Sequence, residues 1–152
     1  MDIKNKLPNT LHALMRVALD DSAWCEALPD RFKMDMGTWH SEIGCSEGKC
    51  AVCFAGAVIA KTLAAPDDKY FSPSHFDDDT SDKLTALDCL RSGHVGDAAE
   101  EMPESYWATL DNDICEDNRY GFDAEITEYS VDPVAWRSDM EDLYTRLLNA
   151  GI

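Results

Sequence analysis

The ten residues AVCFAGAVIA (51–60) contain no charged or strongly polar side chain, and they constrain the fold more than any other part of the chain. A stretch that is apolar on every side has to lie inside a folded domain, and ten residues are too few to span a bilayer. Around it, residues 49–64 are small and mostly good helix formers, with Pro66 just beyond. The segment predicts a central, buried helix over 49–64. Gly56 and the alanines at 51, 55, 57 and 60 let neighbouring elements approach it closely. At 152 residues, the chain has the usual length of one domain built around such a helix.

The flanking patterns are helical too. Asn9 or Thr10 caps a first helix near 9–20, with Leu11, Leu14, Met15, Ala18 and Leu19 on one stripe. SAWCEALP adds one or two turns before Pro29. Phe32, Met34 and Met36 alternate with polar residues, as in a short strand or an extended lead-in to the next helix. Thr80 or Ser81 caps a helix through Leu84, Leu87, Cys89 and Leu90, which Gly93 ends. GDAAEEM and ESYWATL read as further short helical pieces, and AEITEYSV as a strand. Asp132, Pro133 and the stripe Trp136, Met140, Leu143, Leu147 predict a last helix, stopped by Gly151. The expected fold is mainly α, with two or three short strands, as one compact helical domain around the buried central helix.

Charge is distributed unevenly. The net charge is −17. Residues 67–130 hold 18 acids against 4 bases, whereas residues 1–66 hold 8 against 7. Because Leu84, Leu87, Leu90, Tyr106, Trp107 and Leu110 interleave with these acids, the region reads as folded helices with carboxylates outward. Such a surface repels phosphate backbones and anionic membranes and attracts basic surfaces. It is a solvated face, or it is an array that copies the phosphates of nucleic acid. The residues that would form the array are Asp77, Asp78, Asp79, Asp82, Asp88, Asp97, Glu100, Glu101, Glu104, Asp111, Asp113, Glu116 and Asp117. Tyr106, Trp107 and Tyr120 would supply aromatic anchors within it.

His40, Cys45, Cys50 and Cys53 precede or open the apolar segment. They compose a candidate zinc set, although the second two-cysteine knuckle of familiar structural sites is missing. Cys50 and Cys53 alternatively form a dithiol at a helix start, but the βαβ surroundings of a thioredoxin-like protein are absent. The third reading puts both thiols on the inner face of the buried helix as core residues, with Trp39 packed over them. Cys25, Cys89 and Cys115 sit singly among apolar neighbours and are expected to be small core hydrophobes. No secretory signal is recognised, since Lys4 and Lys6 lead straight into an amphipathic pattern, and a reducing cytoplasm is the expected location.

The segment FKMDMGTWHSEIGCSEGKCAVCFAGAVIA resembles one found in small, largely uncharacterised phage and prophage proteins. The resemblance rests on Phe32, Met34 and Trp39, then Cys45 and Cys50, then the small-residue helix through Gly56. Ser46 and Glu47 depart from the usual Gly-Thr, and Cys53 stands where Gly is frequent. The resemblance implies a phage-related origin and a helical domain, and brings no activity with it. In composition the chain is also similar to acidic phage anti-restriction and anti-CRISPR proteins.

Catalytic patterns are missing. There is no Gly-x-Ser-x-Gly, no phosphate-cradling glycine loop and no basic–aromatic patch. DNDICEDNRYGFD fails as an EF-hand, because Glu116 stands where the turn needs glycine. SHFDDDTSD offers His75 and an Asp run to a divalent ion, or simply a solvated loop and helix cap. The expectation is a non-enzymatic, acidic interaction protein without cofactor, monomeric or homodimeric, that occupies the nucleic-acid site of a basic host protein. The alternative is a small zinc or thiol protein built on His40, Cys45, Cys50 and Cys53.

Overall fold

The computed structural model describes residues 7–41, 49–66, 69–102 and 126–152. It is mainly α with a small sheet. In chain order the elements are α1 (Leu11–Glu26), β1 (Phe32–Met34), β2 (His40–Ser41), β3 (Cys50–Val52) and α2 (Phe54–Lys61). A 3-10 turn (Pro73–His75), α3 (Asp78–Arg91), α4 (Val95–Glu100) and α5 (Pro133–Ala150) follow. The sheet order is β1-β3-β2, with β1 parallel and β2 antiparallel to the central β3.

Helix α2 is the centre of the fold, and all of its residues from Phe54 to Ala60 are buried. It shares one core with Leu11, Leu14, Met15, Ala18 and Leu19 of α1, Leu84, Leu87 and Leu90 of α3, and Trp136, Met140, Leu143 and Leu147 of α5, which packs on α1 and sets Trp136 against Phe54. A second, smaller cluster beneath the sheet joins Cys25, Phe32, Cys50, Val52, Ala57 and Ala60. The two clusters lie on opposite sides of α2, which is why its sequence has no polar stripe.

The central segment corrects one expectation. Helix does not begin at residue 49: residues 50–52 form a fully buried strand, and Cys53, at φ −89° and ψ −168°, caps α2. Fully apolar runs carry no periodicity that separates a buried strand from a buried helix, so pairing with β1 and β2 decides. Cys50 and Cys53 therefore do not share the inner face of a helix. Other boundaries shift as well. Helix α1 is capped by Thr10 and continues without a break to Glu26, while β1 ends at Met34. Helix α3 is capped not by Thr80 or Ser81 but by Asp77, three residues before Thr80, whose carboxylate accepts the Thr80 N–H at 2.9 Å. Residues 126–131, the described part of the expected strand AEITEYSV, are coil and turn. ESYWATL and the DNDICEDNRYGFD loop lie outside the described residues.

The last helix matches its signals: Asp132 caps it by accepting the Ala135 N–H at 3.0 Å, and Gly151 ends it in the left-handed region at φ 76°. Two arginines tie α5 to α1. Arg16 makes a bidentate pair with Glu141 at 2.9 and 3.0 Å and holds that carboxyl below its ordinary range. Arg137 donates to Leu19 O, Ser22 Oγ and Glu26.

Asp21 is the buried acid between α1 and α2, and accepts the Thr62 hydroxyl at 2.5 Å. Desolvation pushes its carboxyl up to about 6, against the lowering effects of Thr62 and Lys61. A raised carboxyl pKa means that the folded state keeps its proton when the unfolded chain has lost it. Folding is thus progressively penalised as pH rises from about 4 to about 6. Asp21→Asn keeps an oxygen for Thr62 and removes the penalty. Its urea midpoint should equal that of wild type near pH 4 and exceed it at pH 7 by the equivalent of about 1–3 kcal/mol. A gap that is independent of pH would contradict this account.

Candidate functional site

Eight of the candidate acids lie in described elements. Asp77, Asp78, Asp79, Asp82 and Asp88 belong to α3 or its cap, and Asp97, Glu100 and Glu101 to α4 and its C-cap. The left-handed Gly93 (φ 81°) turns the chain so that α4 packs back on α3.

Three of the eight are engaged inside the fold. Asp77 caps α3, Asp79 pairs with Lys83 at 2.9 Å, and Asp88 pairs with Arg91 at 3.1 Å. The remaining five, Asp78, Asp82, Asp97, Glu100 and Glu101, have no cationic partner among the described residues. Asp78, Asp82, Asp97 and Glu100 are exposed. Their mutual proximity shows in their acidities. Partial burial and then Asp78 and Asp79 push the Asp82 carboxyl up, while partial burial and then Asp82, Glu100 and Asp97 raise Glu101. Cys89, half-buried beside them, is pushed up to about 11 by desolvation, then by Asp97, Asp88 and Glu101. One end of the α3–α4 hairpin thus carries a concentrated negative field. Glu104, Tyr106, Trp107, Asp111, Asp113, Glu116 and Asp117 lie outside the described residues, as does Tyr120.

The cysteine cluster divides. His40 is fully buried on β2. Its Nδ1 donates to the Lys69 carbonyl at 3.0 Å, which leaves Nε2 to accept from the Cys50 thiol, 3.6 Å away. The Phe71 N–H bonds to the His40 carbonyl and the Phe71 ring sits edge-on to the imidazole, 5.5 Å between centroids. Cys53 points elsewhere. Its sulfur accepts the Gly56 N–H at 3.2 Å and borders a recess of about 250 Å³ with Trp39, Asp88 and Arg91. Desolvation pushes its thiol up to about 11. The structure therefore brings His40 and Cys50 together and places Cys53 in the other cluster. Cys45 lies outside the described residues, among which no three His, Cys, Asp or Glu side chains are grouped to hold a metal. Cys25 is buried as expected, and Cys115 is not described. His75 accepts the Ser72 N–H at 3.1 Å instead of joining the Asp run.

Sequence reading missed Lys83. It is 1% exposed and spends its ammonium on Leu7 O (3.0 Å), Asn9 Oδ1 (2.8 Å) and Asp79. The signal was available: Lys83 occupies the stripe of Thr80, Leu84 and Leu87, where a cation is out of place unless partnered. Among the described residues no helix is long and apolar enough to cross a membrane. No family model, curated protein or solved structure matches the chain.

Proposed function

We propose that the protein is a phage-type acidic interaction protein, acting in the bacterial cytoplasm, whose α3–α4 face occupies the nucleic-acid site of a basic host protein. The observation that carries the reading is the set Asp78, Asp82, Asp97, Glu100 and Glu101, held on two packed helices with no cationic partner among the described residues. A cleft that binds nucleic acid presents Lys and Arg to phosphates. Rigid carboxylates offer those cations the same favourable contacts and fast, salt-sensitive association. In this reading Glu104, Tyr106, Trp107, Asp111, Asp113, Glu116 and Asp117 extend the face, and no catalysis is involved. The chain acts as a monomer or homodimer.

The test is capture from bacterial lysate at low and high salt, using wild type and the variant D78N/D82N/D97N/E100Q/E101Q. Wild type should retain a nucleic-acid-binding protein at low salt and release it to competing DNA. The amide variant should bind at least tenfold more weakly, while its thermal midpoint stays level or rises as repulsion is relieved. Undiminished capture by the folded amide variant would defeat the proposal.

A second reading is favoured by one distance. His40 Nε2 and Cys50 Sγ are 3.6 Å apart, close to the roughly 3.5 Å that separates a nitrogen and a sulfur ligand on tetrahedral zinc. The Lys69 carbonyl orients the ring as an outer partner of a metal-bound histidine does. Here zinc would be held by His40 and Cys50 with Cys45, and Cys53 would have to leave its cap on Gly56. One zinc per purified chain, lost in His40→Asn, supports this reading; metal-free, folded protein opposes it.

A further inference from the structure

Among the described residues strand β1 is an edge strand, paired on one side only. Its ladder with β3 engages alternate peptide groups. Cys50 N–H donates to Arg31 O and Asp35 N–H to Val52 O, both at 2.8 Å, and the Lys33↔Ala51 register places the bonds between them on Lys33. Strand alternation turns the N–H and C=O of Met34 to the opposite side, away from β3. Neither group has a hydrogen-bond partner among the described residues. The other outward N–H of the strand, that of Phe32, is taken by Leu28 O at 2.9 Å. Met34 thus leaves one donor and one acceptor at the open edge, spaced to pair with an extended backbone.

This edge borders a cleft of about 860 Å³, whose other walls are the C-terminal end of α3, residues 126–130 and the first turn of α5. Met34, Ile126 and Pro133 give it an apolar surface above the buried Trp136. Lys33 and Glu128 also line it, and neither has an ion-pair partner among the described residues. The size suits a short peptide segment. One face offers backbone pairing, the floor takes an apolar side chain, and two charges of opposite sign await partners.

We propose that this cleft accepts an extended peptide segment of a partner protein, added as a strand beside β1. The peptide bonds to the N–H and C=O of Met34, seats an apolar side chain against Ile126 and Pro133, and brings a carboxylate to Lys33 and a basic group to Glu128. The site uses none of the five unpaired acids of α3 and α4, so it stands or falls separately from the mimicry reading.

A bead-bound library of random seven-residue peptides, screened against the full chain, provides the probe. Selected peptides should combine an apolar residue with flanking acid and base. Met34→Pro deletes the outward N–H, and an edge strand tolerates proline at a residue whose N–H is not in the ladder. This variant should keep its thermal midpoint within a few degrees and bind the selected peptide at least tenfold more weakly. N-methylation of the peptide at the position opposite Met34 should weaken binding to the wild-type chain equally, and decides the matter if Met34→Pro does not fold. Exchanging the charges (Lys33→Glu with Glu128→Lys) should invert the selected charge pattern. The proposal is overturned if no peptide is enriched, or if binding survives both Met34→Pro and N-methylation.

Discussion

Gly56→Ala is expected to lower the thermal midpoint by about 10 °C, the equivalent of a loss of roughly 3 kcal/mol for a chain of this size. On an exposed helix the same change would stabilise by up to about 1 kcal/mol. Here the sign reverses, because the added Cβ would fall 2.6 Å from the carbonyl carbon of Trp39 and closer still to its oxygen. These are backbone atoms, fixed by what surrounds them. The Trp39 carbonyl accepts the Cys53 N–H at 3.4 Å, and Cys53 caps the helix that contains Gly56. No flexible side chain can step aside, so either β2 or α2 has to move, and α2 packs against α1 and α3 and carries Phe54 against Trp136 of α5. Urea and thermal unfolding of Gly56→Ala beside Gly37→Ala gives the comparison. At Gly37 the added carbon meets only Asp35 Oδ1 at 3.4 Å, an ordinary contact, and stability should change by less than about 1 kcal/mol. Equal stability of the two variants would mean that the Trp39 backbone does not lie against α2.

Lys83→Met should cost about 2–4 kcal/mol, although it places an apolar side chain of similar length on a buried stripe. The ammonium of Lys83 uses its three donors on Leu7 O, Asn9 Oδ1 and Asp79 Oδ2, at 2.8–3.0 Å. Methionine fills the space but leaves the Leu7 carbonyl and the Asn9 amide oxygen without a donor. Asp79, 36% exposed at its side chain, can turn to water. The loss therefore falls on the residues that lead into α1. Hydrogen exchange of the first-turn amides of α1 should accelerate more than that of α5, and most of the destabilisation should persist in high salt, because the pair is largely shielded from solvent. A variant as stable as wild type, with α1 equally protected, would show that water or another group replaces the ammonium.

Much of this was legible in the chain. Helices α1, α3 and α5 announce themselves by stripes such as Leu11–Leu14–Met15–Ala18 and Trp136–Met140–Leu143–Leu147, and Asp132, Pro133 and Gly151 mark the ends of the last one. Those signals are local: side chains three or four residues apart share a face, and a cap bonds to its own helix. The exposed acids Asp78, Asp82, Asp97 and Glu100 were legible for the same reason, because each lies on a helix whose apolar residues turn it outward. What was not legible is pairing at a distance. Residues 50–52 look as helical as 54–60, yet they lie between β1 and β2 and become strand. Nothing in the two-residue spacing of Cys50 and Cys53 says that one thiol meets His40 while the other caps α2.

The sequence by itself determined a mainly α domain with a buried centre and a negatively charged region, because burial and charge follow from side-chain chemistry and periodicity. Tertiary structure decided which of those charges stay unneutralised. Lys83 folds onto Asp79 and Arg91 onto Asp88, whereas Asp78, Asp82, Asp97, Glu100 and Glu101 have no cationic partner among the described residues. It also decided that Met34 leaves the edge of the sheet unpaired among the described residues. The Asp79–Lys83 and Asp88–Arg91 pairs lie within α3. The meeting of Asp82 with Glu101, however, depends on α4 packing back on α3, and the edge depends on strands paired across the chain. Such contacts leave no periodic trace in a sequence.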